Sequence, residues 1–595
     1  PSVGAVFGTG IVCALPGGIM GNGSQPTGIF PLFWTVGSQV VPVLHTMGIY
    51  DVMDRKLRRG MGSSQKIHSS DRNRVRMVRI GIASLAWAVV SLACAVGVLN
   101  KDDPLFTAPP GEAQWTPTST AVLNPPASES QLEEDPLQVT PTPASVADGI
   151  LPAPAAVDNT PILYYTQAGD TLPLVALRFN VQPEEITSPM VLPAETLLEP
   201  DTLLLIPRRL VNTTSPLKLI PDSELVYSPS TVDFDVEDYV TQAGGYLSSY
   251  RQWLGSTQWT SGAEIIERVA LENSINPRIL LGLLEYQSGW VYGTPVNALK
   301  EDYPMGYVDL SQTGLYPQLV WAVNQLSIGY YGWREGAMTE IRFSDGVTAR
   351  LAPELNAGTV ALQYYLAQIY DTVGWVQALD AQQGFAPLYE RLFGNPWIRA
   401  MDVEPLYPPD LRQPPLILPF LIGQVWSYTG GPHGAWERDG AMAALDFAPA
   451  STEPGCVKSD AWVVAAAPGL VTRAGKGLVV IDLDGDGLEQ TGWNILYLHV
   501  SDLVVSSGEW VELSDLLGHP SCEGGMATGT HIHIARKYNG EWIAADGPLQ
   551  FELSGWQAHA GSNPYLGSLT RGDETIPASV YGTHETRIVR LRDDP

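Results

Sequence analysis

The sequence predicts a multidomain protein in which a small βααβ module and an all-α domain precede a mainly antiparallel β-sheet domain. Three observations carry this prediction. The chain has 595 residues, enough for roughly three or four cores of ordinary size. Apolar residues recur with helical periodicity over residues 235–400. The residues after 415 instead form short alternating runs separated by Gly and Asp turns.

Charge is distributed unevenly along the chain. There are 34 Lys and Arg against 63 Asp and Glu, a net charge of −29, so the chain lacks the basic face that binds nucleic acid. Residues 1–100 nevertheless hold nine basic and three acidic residues, a charge of +6, which leaves −35 for the remainder. Residues 1–79 are therefore a basic head, either cytoplasmic or an artefact of the start site.

Residues 80–99 are an apolar run, IGIASLAWAVVSLACAVGVL, long enough to span a bilayer. The basic segment before it predicts that the head stays in the cytoplasm and that the rest of the chain is exported. The run is either a transmembrane anchor or a signal peptide, and both readings stay open. Residues 100–160, rich in Pro and Thr, are expected to be a disordered linker.

Residues 161–208 read as strand, amphipathic helix, second helix from Pro183, and closing strand. The turn Gly169-Asp170-Thr171 and the ending DTLLLIP resemble the LysM module over its whole length. That resemblance implies binding of N-acetylglucosamine chains, as in peptidoglycan or chitin, with Gly169, Asp170 and Thr171 at the glycan-binding turn. Ser188-Pro189 replaces the family's usual Asn, and a purely structural spacer is the alternative.

The domain over residues 235–400 contains the segment NSINPRILLGLLEYQSGW, which resembles the catalytic helix of lysozyme-like transglycosylases. The family's Glu-Ser pair falls on Gln287-Ser288, and Gln cannot act as the acid that protonates a glycosidic oxygen. Glu285 lies two residues earlier, about 200° away round a helix. It is therefore a second catalytic candidate or a solvated helix residue, and a fold that binds glycan without cleaving it is equally compatible.

Histidines are concentrated in the last domain, where seven of the nine follow residue 430. On a strand, His531 and His533 project from the same face because side chains alternate. A His-x-His pair alone is weak evidence for a metal. Together with His433, Asp446 and His499, it makes a coherent set of ligands and proton carriers.

This set resembles the lysostaphin-type zinc endopeptidases over about residues 420–560, and in particular the LasA-like members, in which a loop separates the first His from the Asp. Here His433 and Asp446 are 13 positions apart. The resemblance implies that His433, Asp446 and His533 bind one Zn²⁺, with an open position for water. It makes His499 and His531 the non-ligand pair that orients water, stabilises the oxyanion and moves protons. The peptidase domain is expected over 415–570, followed by a tail, 571–595.

Two further features of this domain carry predictions. Cys456 and Cys522 make a disulfide plausible in an exported domain. Asp482, Asp484 and Asp486 have the spacing of a Ca²⁺ loop, but Trp493 stands at the twelfth position, where an EF-hand has Glu. A tight hairpin turn is therefore the favoured interpretation, and calcium the alternative.

The sequence thus predicts an exported peptidoglycan hydrolase, tethered or secreted to the cell wall, whose zinc endopeptidase domain cuts peptide stems or cross-bridges. Two alternatives remain. One is a lysozyme-like or transglycosylase-like glycan hydrolase with a regulatory C-terminal domain. The other is a non-catalytic wall-binding scaffold or amidase activator.

Overall fold

The computed structural model describes residues 160–436 and 439–594, together with four short strands closer to the amino terminus. The chain divides into two compact units, residues 1–117 and 118–595. The segment 80–99 and nearly all of the spacer lie outside the described residues. Among the residues that are described, no helix is both long and apolar enough to cross a bilayer. The four short strands form two antiparallel hairpins, β1 (Val6–Phe7) with β2 (Ile11–Val12) and β3 (Phe33–Val36) with β4 (Gln39–Pro42).

Residues 162–206 form a small module with a core of its own. Strand β5 (Ile162–Tyr165) pairs antiparallel with β6 (Leu203–Ile206), and helix α1 (Leu172–Phe179) packs on the pair. The order of strand, helix and strand matches the expectation from the sequence.

The second helix expected in this module is only one 3-10 turn, Pro183–Glu185. The chain leaves the turn in an extended conformation at Ile186, and Thr187 then forms an antiparallel bridge with Leu205. Pairing with the closing strand therefore ends the helix after a single turn.

Helices dominate residues 236–400. The longest, α7 (Leu315–Arg334), packs against α8 (Ala357–Ile369), and most of the side chains between them are buried. The helices are α2 (Val236–Ala243), α3 (Tyr246–Ser249), α4 (Gly262–Asn273), α5 (Pro277–Ser288), α6 (Ala298–Asp302), α7 (Leu315–Arg334), α8 (Ala357–Ile369), α9 (Thr372–Ala378), α10 (Phe385–Phe393) and α11 (Pro396–Ala400).

Local sequence explains where α4 and α5 begin and where α5 ends. Ser261 and Glu264 form a reciprocal capping box at the start of α4. Asn276 caps α5, with Pro277 as its first residue, and Gly289 ends that helix in the left-handed conformation that glycine adopts without strain.

The expectation of an all-α domain is wrong in one respect, because two β-hairpins lie within it. Strand β7 (Arg251–Leu254) pairs with β8 (Gln258–Ser261), and β9 (Glu340–Arg342) pairs with β10 (Thr348–Arg350). Both hairpins are short and turn at Gly- or Ser-containing loops, so they leave little periodic signal in the sequence.

The C-terminal region is built on a nine-stranded antiparallel sheet whose central strands are β16, β20 and β12. A three-stranded and a four-stranded sheet flank it. The strands are β11 (Val425–Gly434), β12 (Met442–Pro449), β13 (Val463–Val464), β14 (Gly469–Gly475), β15 (Leu478–Asp482), β16 (Trp493–Leu498), β17 (Val500–Ser501), β18 (Trp510–Val511), β19 (Leu516–Pro520), β20 (Ile532–Tyr538), β21 (Glu541–Trp542), β22 (Glu552–Leu553), β23 (Trp556–His559), β24 (Ser568–Arg571), β25 (Glu574–Pro577) and β26 (Arg587–Val589).

The predicted tail, 571–595, is part of this fold. Strand β25 closes the four-stranded sheet, and β26 pairs with β11 at the edge of the main sheet. Ile576 and Ile588 are both buried, so burial of these two side chains holds the segment in place.

The two faces of the main sheet pack against different partners. Side chains such as Tyr497 and Ile534 belong to a core within the C-terminal region. On the opposite face, Leu496 and Ala535 join the hydrophobic cluster of the helical region. His533 lies two residues before Ala535, so it shares the face that the helical region partly covers.

Candidate metallopeptidase active site

Three neighbouring strands position the predicted ligands. Asp446 on β12 lies directly opposite His533 on β20, and Leu498 on β16 lies opposite His533 from the other side. His433 comes from β11, where the register with β12 shifts between Gly430 and His433. Irregularities of this kind re-aim side chains, and here the irregular segment brings the His433 ring to Asp446.

Ring nitrogens of His433 and His533 converge on the carboxylate of Asp446. His433 Nε2 is 2.9 Å and His533 Nδ1 is 3.3 Å from Asp446 Oδ1. One ligand atom from each of the three residues lies within 4.8 Å of the others. All three residues are buried. This is the arrangement that a single small cation requires.

The non-ligand pair lies beside this cluster. The rings of His499 and His531 are 4.5 Å apart between centroids, and His499 is 6.2 Å from His533. His531 Nε2 is 3.7 Å from Asp446 Oδ2. The structure therefore brings together all five residues that the sequence proposed for the site.

Backbone carbonyls determine which nitrogen of three rings faces the cluster. His533 Nε2 donates to Ala435 O at 2.9 Å, which leaves Nδ1 free to bind a metal. His499 Nδ1 donates to Glu523 O at 2.8 Å, and His531 Nδ1 donates to Gly529 O at 2.7 Å. Because a carbonyl only accepts, each neutral ring keeps its lone pair on the other nitrogen.

Electrostatics favour an ionised Asp446 and neutral imidazoles at His499 and His533. Burial alone would raise the pKa of Asp446, but His433, His533 and His531 outweigh it and hold that pKa well below its usual range. Burial, followed by repulsion from His531, lowers the pKa of His499 to about 4. Burial also lowers the pKa of His533. Neutral imidazole is the form that binds a metal or accepts a proton.

The donor set fits Zn²⁺. Two imidazole nitrogens and one carboxylate oxygen are the ligands of catalytic zinc sites, which keep a further position open. His433 Nε2 and Asp446 Oδ1 are buried, and neither makes a hydrogen bond of acceptable geometry with the described residues. Buried polar atoms normally have a hydrogen-bond partner. These two atoms lack one and are therefore available to coordinate an ion between them.

Tyr565 is a residue of the site that the sequence did not reveal. Its ring stacks on His433 with centroids 4.1 Å apart and planes at 14°. Its N–H donates to Pro432 O at 3.1 Å, and its φ of 71° is unusual for a residue other than glycine. Strained backbone of this kind often marks functional sites. Only the sequence NPY, a turn signal, could have drawn attention to it.

The helical candidate, Glu285, lies outside this cluster. Its Oε2 accepts the N–H groups of Val291 at 2.8 Å and Tyr292 at 3.1 Å. Those bonds tie the loop after α5 back onto the helix. Gln287, at the position of the family's Glu, accepts the hydroxyl of Tyr370 at 2.7 Å.

The predicted glycan-binding turn is packed against the helical region. Asp170 is only 1% exposed, and its carboxylate accepts from Tyr164 Oη at 2.6 Å and Arg178 Nη1 at 2.7 Å. Thr171 caps α1. A Cβ added to Gly169 would lie 2.7 Å from Arg334 Nη1. The turn therefore faces another part of the chain, and glycan binding there stays a prediction.

The two remaining predictions concern the loops of the last domain. Cys456 and Cys522 form a disulfide with an S–S distance of 2.06 Å. Asp482, Asp484 and Asp486 each bring one oxygen within 4.8 Å of the others. Asp482 Oδ2 accepts the Gly487 N–H at 2.8 Å, as in a tight turn, and calcium binding stays a prediction.

The site consists of two histidines and a carboxylate on an antiparallel sheet, with a second histidine pair beside them, and is a candidate metal centre. Residues 218–407 match the family model for the LasA N-terminal domain. The chain is 27% identical over 338 residues to protease LasA of Pseudomonas aeruginosa. The matched segment covers 55% of this chain and 75% of the relative. It is 26% identical over 191 residues to the β-lytic metalloendopeptidase of Achromobacter lyticus, covering 31% and 45% of the two chains.

Among solved structures, the M23 metalloprotease pseudoalterin from the deep sea matches 27% of this chain and 94% of its own, at 25% identity and a TM-score of 0.24. The sequence relatives make this chain homologous to LasA-like M23 peptidases and support a metalloendopeptidase. The helical region corresponds to the LasA N-terminal model.

Proposed function

We propose that this protein is an exported, zinc-dependent endopeptidase that cleaves peptide stems or cross-bridges of peptidoglycan. The observation that carries the proposal is the convergence of His433 Nε2, His533 Nδ1 and Asp446 Oδ1, with His499 and His531 alongside. A structural zinc site would have four closed ligands. Among the residues that the structure describes, the cluster has three ligands, beside two rings whose Nε2 lone pairs are not taken up by a backbone donor.

The residues divide the chemistry between them. His433, Asp446 and His533 would hold Zn²⁺, which supplies Lewis-acid polarisation of a peptide carbonyl and activation of water. His499 is neutral at pH 7 because its pKa lies near 4, so its Nε2 accepts a hydrogen bond or a proton from the attacking water. His531 Nε2 also faces the cluster and can stabilise the oxyanion or pass a proton to the leaving amine.

Peptidoglycan as the substrate is supported by the resemblance of the first module to LysM and of the last domain to lysostaphin-type peptidases. The glycan-hydrolase alternative would need Glu285 as an acid. Its Oε2 already accepts two backbone N–H groups, which favours a helix-end contact over the role of a general acid. Export follows from residues 80–99, as an anchor or a cleaved signal.

The test uses the full chain, apo and reloaded with ZnCl₂, incubated with purified peptidoglycan sacculi. We expect new amino termini in the mass spectra of the products, dependent on zinc and absent in His533→Ala. His584→Ala is the control, because that exposed histidine lies outside the site. Reducing or anhydro sugar ends that vanish in Glu285→Ala would instead establish a glycan hydrolase. Binding to sacculi with neither product would establish a scaffold.

A further inference from the structure

A three-residue segment holds the backbone and the ring of His499. The Ser521 N–H and hydroxyl donate to His499 O at 2.7 and 3.0 Å. Glu523 O accepts the Nδ1–H of His499 at 2.8 Å. His499 has a φ of 66°, in the left-handed region, so its conformation depends on support from outside. Cys522 is the residue between these two contacts.

A second loop holds the residue before His531 in a similar way. The Thr530 N–H donates to Gly455 O at 3.1 Å, and Thr530 Oγ1 accepts the Val457 N–H at 2.9 Å. Cys456 lies between these two partners. Its disulfide with Cys522 therefore joins the segment that holds His499 to the segment that holds His531.

The metal-ligand candidates are held differently. Asp446 and His533 lie opposite each other on central strands of the main sheet, and His433 is carried by the adjacent strand β11. Within the described parts of the chain, no hydrogen bond links these three side chains to residues 455–457 or 521–523. The ligand side chains and the histidine pair thus have separate hydrogen-bond partners, although the His531 N–H also donates to Ser521 O at 3.3 Å.

We infer that the Cys456–Cys522 disulfide is a positioning device for His499 and His531 and that metal binding does not depend on it. The inference rests on the proposed function. Cys456 is exposed and Cys522 half-buried, so a small dithiol can reach the bond. Reduction breaks the S–S bond and yields two protein thiols, while the dithiol loses two electrons and two protons and becomes a disulfide.

The test compares the zinc-loaded full chain before and after dithiothreitol, together with the double variant Cys456→Ser/Cys522→Ser. We expect kcat for release of amino termini from sacculi to fall by about 10- to 100-fold, with KM nearly unchanged. Bound zinc, measured by metal analysis after dialysis, should stay at one per chain, and the Co²⁺ absorption spectrum should not change. Reoxidation should restore kcat.

Two matched variants separate positioning from general loop damage. Thr530→Val removes the hydroxyl that contacts Val457 and should lower kcat, whereas Thr530→Ser keeps the hydroxyl and should restore it. Lys458→Ala, next to Val457 in the loop that contains Cys456, removes only an exposed contact with Asp502. It should leave kcat within about twofold of the wild-type value. A reduced protein with unchanged kcat, or one that loses zinc together with activity, overturns the inference.

A measurement that does not use activity separates this inference from the proposed function. In ¹⁵N-histidine-labelled protein, the His499 Nδ1–H bonded to Glu523 O should be protected from exchange when the disulfide is intact. Loss of that protection on reduction supports the inference even if sacculi are not cleaved. Retention of the protected proton in the reduced protein rules it out.

Discussion

At the scale of single residues, backbone carbonyls assign different roles to histidines that look alike in the sequence. The carbonyl of Ala435 accepts a hydrogen bond from Nε2 of His533, whereas the carbonyl of Gly529 accepts one from Nδ1 of His531. His533 therefore turns Nδ1 to the ligand cluster. His531, two residues earlier on the same face, turns Nε2 to the same region without joining the three converging atoms.

This difference predicts opposite outcomes for two substitutions. His533→Ala removes a ligand. Loss of a group that only hydrogen-bonds to a ligand lowers metal affinity by up to about a hundredfold, so loss of the ligand itself should lower zinc affinity by more than that. His531→Ala should retain zinc and lose about a hundredfold or more in kcat, since it removes a proton carrier. Equilibrium dialysis with zinc and product analysis on sacculi measure the two effects. Equal loss of zinc in both variants would contradict the assignment.

A second prediction at this scale concerns Tyr565, whose ring covers His433. Tyr565→Ala removes the stacked ring and frees His433 to rotate, so zinc affinity should fall by about tenfold, as for other groups that orient a ligand. Tyr565→Phe keeps the ring and should bind zinc like the wild type. If the Phe variant loses as much affinity as the Ala variant, the stacking is not what orients His433.

At the scale of elements, alternation along strands explains why much of the site could be predicted from the sequence. His531, immediately before β20, and His533 on it share a face because extended backbone alternates its side chains with a period of two. Asp446 was predicted from the resemblance to lysostaphin-type peptidases, and the structure places it opposite His533. The position of His433 could not be derived this way, because it depends on a register shift in β11. Tyr565 and the carbonyl partners lie on loops, whose contacts leave no periodic pattern.

The same reasoning explains the errors in the fold. The second helix of the first module was overestimated because a bridge between Thr187 and Leu205, distant in sequence, competes with it. The tail was missed because β26 is short, and its pairing with β11 joins residues far apart in the chain. Packing of the Gly169 turn on the helical region is likewise a contact between domains, which local sequence does not encode.

A buried ionic cluster joins strands β14 and β20 to the loop before β16 and yields a pH-dependent prediction. Glu489 Oε2 is 2.9 Å from Lys537 Nζ and 2.9 Å from Arg473 Nη2, and both Glu489 and Lys537 are buried. Burial would raise the pKa of Glu489, but the two cations outweigh it and lower the pKa to about 2. Compared with an ordinary value of 4.5, ionisation of Glu489 favours folding by about 3 kcal/mol. Burial lowers the pKa of Lys537, and that cost offsets part of the gain.

Because the pKa is lowered on folding, that stabilisation is present above about pH 4.5 and is lost as the pH falls through about 2. Glu489→Gln should therefore destabilise the protein at pH 7 by about 3 kcal/mol. Because the variant has no carboxyl to protonate at this position, its free energy of unfolding should fall less than that of the wild type between about pH 4.5 and 2. Urea unfolding at pH 7, 4 and 2.5 measures both effects. Glu574→Gln, at an exposed site, is the control, and equal stability of Glu489→Gln and wild type at pH 7 would refute the prediction.

At the scale of the whole molecule, one residue connects the first module, the helical region and the β domain. Arg334, at the end of α7, donates through Nη1 to the carbonyl of Ala168 and through Nη2 to Asp222 Oδ2 at 3.0 Å. Its Nε lies 2.9 Å from Glu541 Oε1 in the β domain. Glu541 is only 1% exposed and also accepts from Tyr330 Oη at 2.9 Å. These three parts, all within residues 160–594, should therefore unfold together.

Arg334→Met should cost about 3–5 kcal/mol, because it leaves the buried carboxylate of Glu541 without its cation. Adding Glu541→Leu should recover part of that loss, since replacing both members of a buried ion pair by apolar groups is often neutral or favourable. Arg209→Met, which breaks an exposed pair with Glu185, should cost less than about 1 kcal/mol. Denaturant unfolding followed by near-ultraviolet circular dichroism and by limited proteolysis measures these differences. If Arg334→Met unfolds in one transition at the wild-type midpoint, the residue does not couple the three parts, and the domains are held together by the hydrophobic cluster alone.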